Sequence, residues 1–153
     1  MVDFQCKSRY GWEDFLEIMR LLRSPGGCPW DQEQTHGSIR RELLEESYEA
    51  AEAIDRNDPV LLREELGDVL LQVVFHADIE SDAGRFTMED VVDEVTKKMI
   101  FRHPHVFANV QADTTEQVLI NWDQLKQEEK SQKTATDTLE SVARTLPQLW
   151  RAE

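Results

Sequence analysis

Apolar positions recur at helical spacing along almost the whole chain. Trp12, Phe15, Met19 and Leu22 repeat every three to four residues and predict a first helix from about Gly11 to Arg23. Ser24-Pro25-Gly26-Gly27-Cys28-Pro29 breaks it. A second helix is predicted from about Gly37 to Arg56, with Ile39, Leu43, Ala50 and Ile54 as its apolar stripe. Asn57-Asp58-Pro59 stops that helix and starts a third, with Asp58 as N-cap and Pro59 at the first helical position. The third runs to about Ser81, and Ser81 to Gly84 closes it. Thr87 with Asp90 resembles a capping box and opens a fourth helix, which ends before Pro104. His103 to Asp113 reads as a loop, and Thr114 with Gln117 opens a fifth helix to about Lys130. A polar stretch from Ser131 to Thr136 follows, then a last amphipathic segment with Leu139, Val142, Leu146 and Leu149. No segment alternates like a strand, and no internal repeat stands out. The pattern predicts an all-α fold, an antiparallel helical bundle over residues 1–130, followed by a polar linker and C-terminal helical segment over 131–153.

The second and third helices differ in character. Glu42, Glu45, Glu49 and Glu52 lie opposite the apolar stripe of the second, with Glu46 at the border, as on any solvated amphipathic helix. The third carries Leu66, Val69, Leu70, Leu71, Val73, Val74, Phe75 and Ala77 around almost its whole circumference, which predicts burial along most of its length. Glu65, Asp68, Gln72 and His76 nevertheless form one polar line through it, and no Lys or Arg occurs between Glu64 and Gly84 to neutralise the acids. The short link makes the two helices antiparallel neighbours. Glu46/Glu49 and Glu65/Asp68 each have i, i+3 spacing, so each pair projects from one side of its helix. Facing each other, they form a cage of carboxylates. Two carboxylates about 4 Å apart repel by roughly 4 kcal/mol at an effective dielectric of 20, so such a cage calls for a cation or raised pKa values. All-oxygen ligation suits Mg²⁺, with Mn²⁺ as substitute, and points to phosphate chemistry. A di-iron bundle would need Glu-x-x-His on two helices; the one such pair, Glu33 and His36, falls before the second helix.

Net charge is −14, which argues against a nucleic-acid partner, since that needs a basic face. It does not exclude a nucleotide whose charge a divalent cation balances. No run of apolar residues is long enough for a membrane span, and no secretory leader pattern is seen, so the expected compartment is the cytoplasm. Cys6 and Cys28 would stay reduced there, and neither belongs to a C-x-x-C pair.

The acidic spacing resembles the signature of the MazG family of all-α nucleotide pyrophosphohydrolases. Glu45-Glu46-x-x-Glu49 is followed by Glu65-x-x-Asp68, and Cys28-Pro29-Trp30-Asp31, Gln34-Thr35, Glu64-Glu65-Leu66-Gly67-Asp68 and Arg102-His103-Pro104-His105-Val106-Phe107 are similar to MazG text as well. The resemblance covers about Phe15 to Lys130 and is to the N-terminal of the two related halves that MazG proteins often carry. It implies Mg²⁺-dependent hydrolysis of a nucleoside triphosphate between its α- and β-phosphates, giving monophosphate and pyrophosphate, and assembly as a homodimer or higher homo-oligomer. The alternatives are a catalytically silent half serving as a dimerisation or regulatory scaffold, and a nucleotide-binding sensor without turnover.

On this reading Glu46, Glu49, Glu65 and Asp68 hold the metal and Glu45 positions the attacking water. Lys98 and Arg102, one turn apart and matching basic positions of the family pattern, balance charge on the departing pyrophosphate; otherwise they complement a helix C-terminus. Trp30 and Asp31 precede the second helix and are candidates to contact base or sugar; a packed plug is the alternative. Trp122 and Lys126 share a face of the fifth helix, for stacking on a base and reaching a phosphate, or as a core Trp beside a surface Lys. His76 is expected to hydrogen-bond inside the bundle. No Walker A pattern is present, so β–γ cleavage of the P-loop kind is not expected.

Overall fold

A computed structural model describes residues 4–109, 114–129, 143, 145 and 146. Seven helices and no strand occur among them: α1 Trp12–Arg23, α2 Pro29–Glu33, α3 Arg40–Asp55, α4 Pro59–Asp82, α5 Met88–Arg102, α6 Pro104–Phe107 and α7 Thr115–Glu129. The all-α expectation holds. Two short helices, α2 and α6, lie in segments expected to be loops. Each has a proline at its start, where the missing N–H removes no intrahelical bond. The expected boundary at residue 130 falls at the edge of the described residues, and the expected C-terminal segment lies almost wholly outside them.

The chain divides into two compact units, Met1–Val92 and Asp93–Glu153. In the first, α3 and α4 form the central antiparallel hairpin, α1 packs against α4 and α2, and α2 reaches α4 through Trp30 against Phe75. The local chemistry sets this hairpin. Asn57 takes a left-handed conformation, φ 51°, and turns the chain. Asp58 Oδ1 then accepts from the backbone N–H groups of Val60 and Leu61 at 3.0 and 3.1 Å, capping α4. A second tight corner lies between α1 and α2. There the Cys28 N–H donates to the Leu22 carbonyl at 2.8 Å. A Cβ on Gly27 would sit 2.2 Å from the Leu21 carbonyl oxygen, so only glycine fits.

Leu16, Met19, Ile39, Val74, Phe75, Ala77 and Met88 form the core of the first unit, flanked by Phe15, Leu22, Leu71, Ile79 and Val91. Two expectations need correction. Ile54 is exposed and Ala53 is buried in its place on α3, because the helix turns its small residues toward α4. Along α4, Glu65, Gln72, Val74, Phe75, Ala77 and Asp78 are the buried positions, while Leu66, Leu70 and Val73 are at least one-third exposed. Among the described residues, α1 and α3 cover α4 from their own sides and leave that face bare.

In the second unit, Arg102 joins the end of α5 to α7: its Nε and Nη2 donate to Glu129 Oε2 at 2.9 and 2.8 Å. His103 Nδ1 lies 2.6 Å from the Met99 carbonyl oxygen, donating to it, and the His103 ring meets Trp122 at 5.8 Å between centroids.

Candidate active site

α3 and α4 bring carboxylates together where their helical spacing predicted. Oxygens of Glu46, Glu49 and Glu65 lie within 4.8 Å of one another, with Glu65 buried, Glu46 half-buried and Glu49 exposed. Asp68, one turn beyond Glu65, acts electrostatically on both Glu46 and Glu65. Burial, then the charges of Asp68 and Glu49, push the Glu46 carboxyl above its ordinary range. Burial, then Glu49 and Asp68, do the same to Glu65. The donors are all hard oxygens, gathered and desolvated on one side, and among the described residues no cation figures in the shifts of Glu46 or Glu65. That set fits a hard divalent cation and does not fit zinc, which prefers sulfur and nitrogen.

The polar line continues along both helices. One turn before Glu46, Glu42 is half-buried, with Oε2 buried and unpartnered among the described residues; the sequence had put Glu42 on the solvated side. One turn past Asp68, Gln72 is 7% exposed and its Oε1 is likewise without a partner. A turn further, His76 Nδ1 meets His36 Nδ1 at 2.7 Å, as expected of a histidine bonded inside the bundle. Glu80, which completes this network, was not singled out from the sequence, and His36 was named only in the Glu33/His36 pair. Their spacing from one another, across a turn and two helices, carries no pattern. Only the alignment of Gln72 and His76 with the acids was visible.

The remaining candidates are placed as follows. Glu45 Oε1 accepts from Arg41 Nε and Nη2 at 2.8 and 2.6 Å on the exposed side of α3. Trp30 is 58% exposed and meets the Phe75 ring edge-on at 6.4 Å. The Asp31 carbonyl accepts from Arg23 Nη1 at 2.8 Å, and Arg23 also binds Asp82, which braces this segment. Lys98, Arg102, Trp122 and Lys126 belong to the second unit. Lys98 lines a cavity of about 450 Å³ with Glu94, Lys97, Phe101 and Glu129. Arg102 is engaged by Glu129, Trp122 is half-buried with Nε1 unpartnered among the described residues, and Lys126 is exposed.

An all-helical domain with an acidic cluster on two facing helices defines a class of metal-competent helical bundles. Residues 34–107 match the family model described as the MazG nucleotide pyrophosphohydrolase domain, and this stretch contains the whole cluster. Over that stretch the chain carries a MazG-type domain. It is 47% identical over 139 residues to a nucleoside triphosphate pyrophosphohydrolase of Escherichia coli, covering 90% of this chain and 53% of that protein. It is 48% identical over 122 residues to the nucleoside triphosphate pyrophosphohydrolase/pyrophosphatase MazG of Thermotoga maritima, covering 80% of this chain and 46% of that protein. It is 49% identical over 138 residues to the uncharacterized protein YabN of Bacillus subtilis, covering 90% of this chain and 28% of that protein. The chain thus spans about half, or less, of the length of these relatives. Its structure resembles the crystal structure of a MazG-related protein from Thermotoga maritima, with TM-score 0.62 and 29% identity over 75% of this chain and 98% of that one.

Proposed function

We propose that residues 1–130 form a nucleoside triphosphate pyrophosphohydrolase domain, which cleaves between the α- and β-phosphates to release a monophosphate and pyrophosphate. The observation that carries this reading is the Glu46–Glu49–Glu65 cluster, with Asp68 beside it, inside the stretch that matches the MazG domain. Glu46, Glu49, Glu65 and Asp68 would hold one or two Mg²⁺ ions, or Mn²⁺ in their place. When bound, the metal supplies charge neutralisation of the phosphate chain and lowers the pKa of the attacking water. Glu45 orients that water for attack at the α-phosphorus. Lys98 and Arg102, with Lys126, balance charge on the departing pyrophosphate, and Trp30, Asp31 and Trp122 contact the nucleoside. The bare apolar face of α4 supports assembly as a homodimer or higher homo-oligomer.

Substrate and metal rather than nucleic acid or membrane are the expected partners: net charge is −14, and no described helix is long and apolar enough to cross a membrane. The reading places the chain in the cytoplasm, where nucleoside triphosphates are made and where free thiols, as at Cys6 and Cys28, persist. Pyrophosphate release by the chain with Mg²⁺, across a panel of nucleoside triphosphates, tests the proposal. Release that disappears with EDTA and in Glu49→Ala is expected. Tight Mg²⁺-dependent nucleotide binding without any release would overturn turnover in favour of a sensor, and neither binding nor release would leave a scaffold.

A further inference from the structure

The acidic cluster is the outer part of a ladder that runs down the α3–α4 hairpin. Of the charges around it, Glu46 feels Asp68 most, and Glu65 feels Glu49 most. The rungs are therefore Glu49 across from Glu65 and Glu46 across from Asp68. The two helices are antiparallel, so one turn back along α3 goes with one turn on along α4. The next rung is Glu42 across from Gln72, about 6 Å deeper by helical rise. The rung after it is Ile39 across from Phe75, and both belong to the apolar core. Glu42 and Gln72 thus form the floor of the cluster, between its carboxylates and the core.

That floor is short of donors. Gln72 is more than nine-tenths buried, and its Oε1 has no partner among the described residues. On the facing helix, Glu42 Oε2 is likewise buried and without one. Both atoms are acceptors, so neither satisfies the other, and a buried acceptor left without a donor is costly. Side chains on a helix lean toward its N-terminus, so Gln72 leans back along α4 toward Asp68 and the level of Glu46. The lean turns its carboxamide toward the cluster and away from the core.

A hard divalent cation in the cluster brings the missing donors with it. Mg²⁺ gives up its waters reluctantly, so an ion held by side-chain carboxylates keeps part of its octahedral shell as water. A coordinated water has two O–H groups, both strengthened as donors by the ion. We infer that Gln72 and Glu42 complete the cation site from its floor, as the two acceptors of one such water. One O–H donates to Gln72 Oε1 and the other to Glu42 Oε2. Both are positioning residues: they hold the ion through its water and take no part in bond breaking. The amide suits this place, because it adds an acceptor without adding charge beside five carboxylates, those of Glu42, Glu46, Glu49, Glu65 and Asp68. The inference rests on the reading of the cluster as the metal site of the proposed hydrolase.

Mn²⁺ titrated into the full chain, with free Mn²⁺ read by electron paramagnetic resonance, tests it. Gln72→Leu keeps the size of the side chain and removes the acceptor. It is expected to weaken Mn²⁺ binding by about tenfold or more, the usual effect of losing a group that supports a metal site from behind its ligands. Glu42→Leu is expected to do the same. The double variant should lose less than the product of the two, because both act on one water. Gln72→Glu offers only acceptors and is expected to recover most of the affinity. Melting in EDTA separates this role from packing: Gln72→Leu removes a buried, unpartnered polar group and should melt no lower than wild type. Unchanged Mn²⁺ affinity in Gln72→Leu overturns the inference. So does a loss that Gln72→Glu fails to recover, or one accompanied by a lower melting temperature in EDTA. Fully multiplicative losses overturn the shared water. A wild-type chain that binds no Mn²⁺ overturns the inference together with the metal assignment. Failure of the hydrolase reading alone is seen separately, as a chain that binds Mn²⁺ yet releases no pyrophosphate from any nucleotide.

Discussion

At the scale of single residues, burial and neighbouring carboxylates raise the pKa values of Glu46 and Glu65, with no cation among the causes of either shift. Mg²⁺ that binds the folded cluster and not the unfolded chain raises the melting temperature. Asp68→Ala and Glu49→Ala are expected to remove that rise and the turnover with it. Glu52→Ala, on the same helix but paired with the exposed Arg56, is expected to change neither. Thermal scans of the three variants with and without Mg²⁺ at matched ionic strength decide the matter; a full metal response in Asp68→Ala would disprove the ligand assignment.

The pH dependence follows from the same groups, with its sign fixed by direction. Glu46 and Glu65 have folded pKa values above 4.5, so the folded chain binds protons more readily than the unfolded one. Stability of the metal-free protein therefore rises as pH falls from neutrality toward their raised values, and levels off near 4.5. Glu80 has the opposite sign: its contribution is present above 4.5 and is lost as pH falls toward about 2. Melting curves in EDTA from pH 7 to 3 should show a maximum on the acid side of neutrality, which saturating Mg²⁺ abolishes by holding the carboxylates ionised. A monotonic fall from pH 7 downward would contradict it.

At the scale of elements, the α3–α4 hairpin is the frame on which every cluster residue is aligned. Its turn depends on one cap. Asp58→Ala removes an acceptor for two backbone donors and should cost about 1 kcal/mol, measured by urea unfolding, with little change in helical content. Because the register of α3 on α4 sets the carboxylate spacing, the same variant should weaken Mg²⁺ binding without touching a ligand. Unchanged stability would mean that Pro59 and the Asn57 turn suffice on their own.

At the scale of the whole molecule, α4 shows an apolar face around Leu66 and Leu70 beside Gly67. A Cβ on Gly67 would meet nothing within 4 Å in the single chain, yet a mid-helix glycine costs up to about 1 kcal/mol relative to alanine. In the proposed homodimer a partner helix lies close over this glycine. Gly67→Ala should then raise the dissociation constant of the dimer, as read by analytical ultracentrifugation. A higher melting temperature with unchanged assembly would place the interface elsewhere.

Sequence alone determined what is local. Helical periodicity, the Asp58 and Thr87 caps and the i, i+3 spacing of Glu46/Glu49 and Glu65/Asp68 are repeats of one helix turn, and the short Asn57-Asp58-Pro59 link makes the hairpin antiparallel. The acidic spacing was therefore legible in the sequence, and the residues flanking it were enough to point to MazG. Tertiary structure decided what depends on distant segments meeting. Which side of α4 is covered depends on where α1 docks, so Leu66 and Leu70 are bare although the helix is apolar all round. Glu42 is drawn to the buried side because α4 lies against it. The His36–His76–Glu80–Arg85 line joins a turn, one helix and the corner after it, over sequence separations that no periodicity encodes.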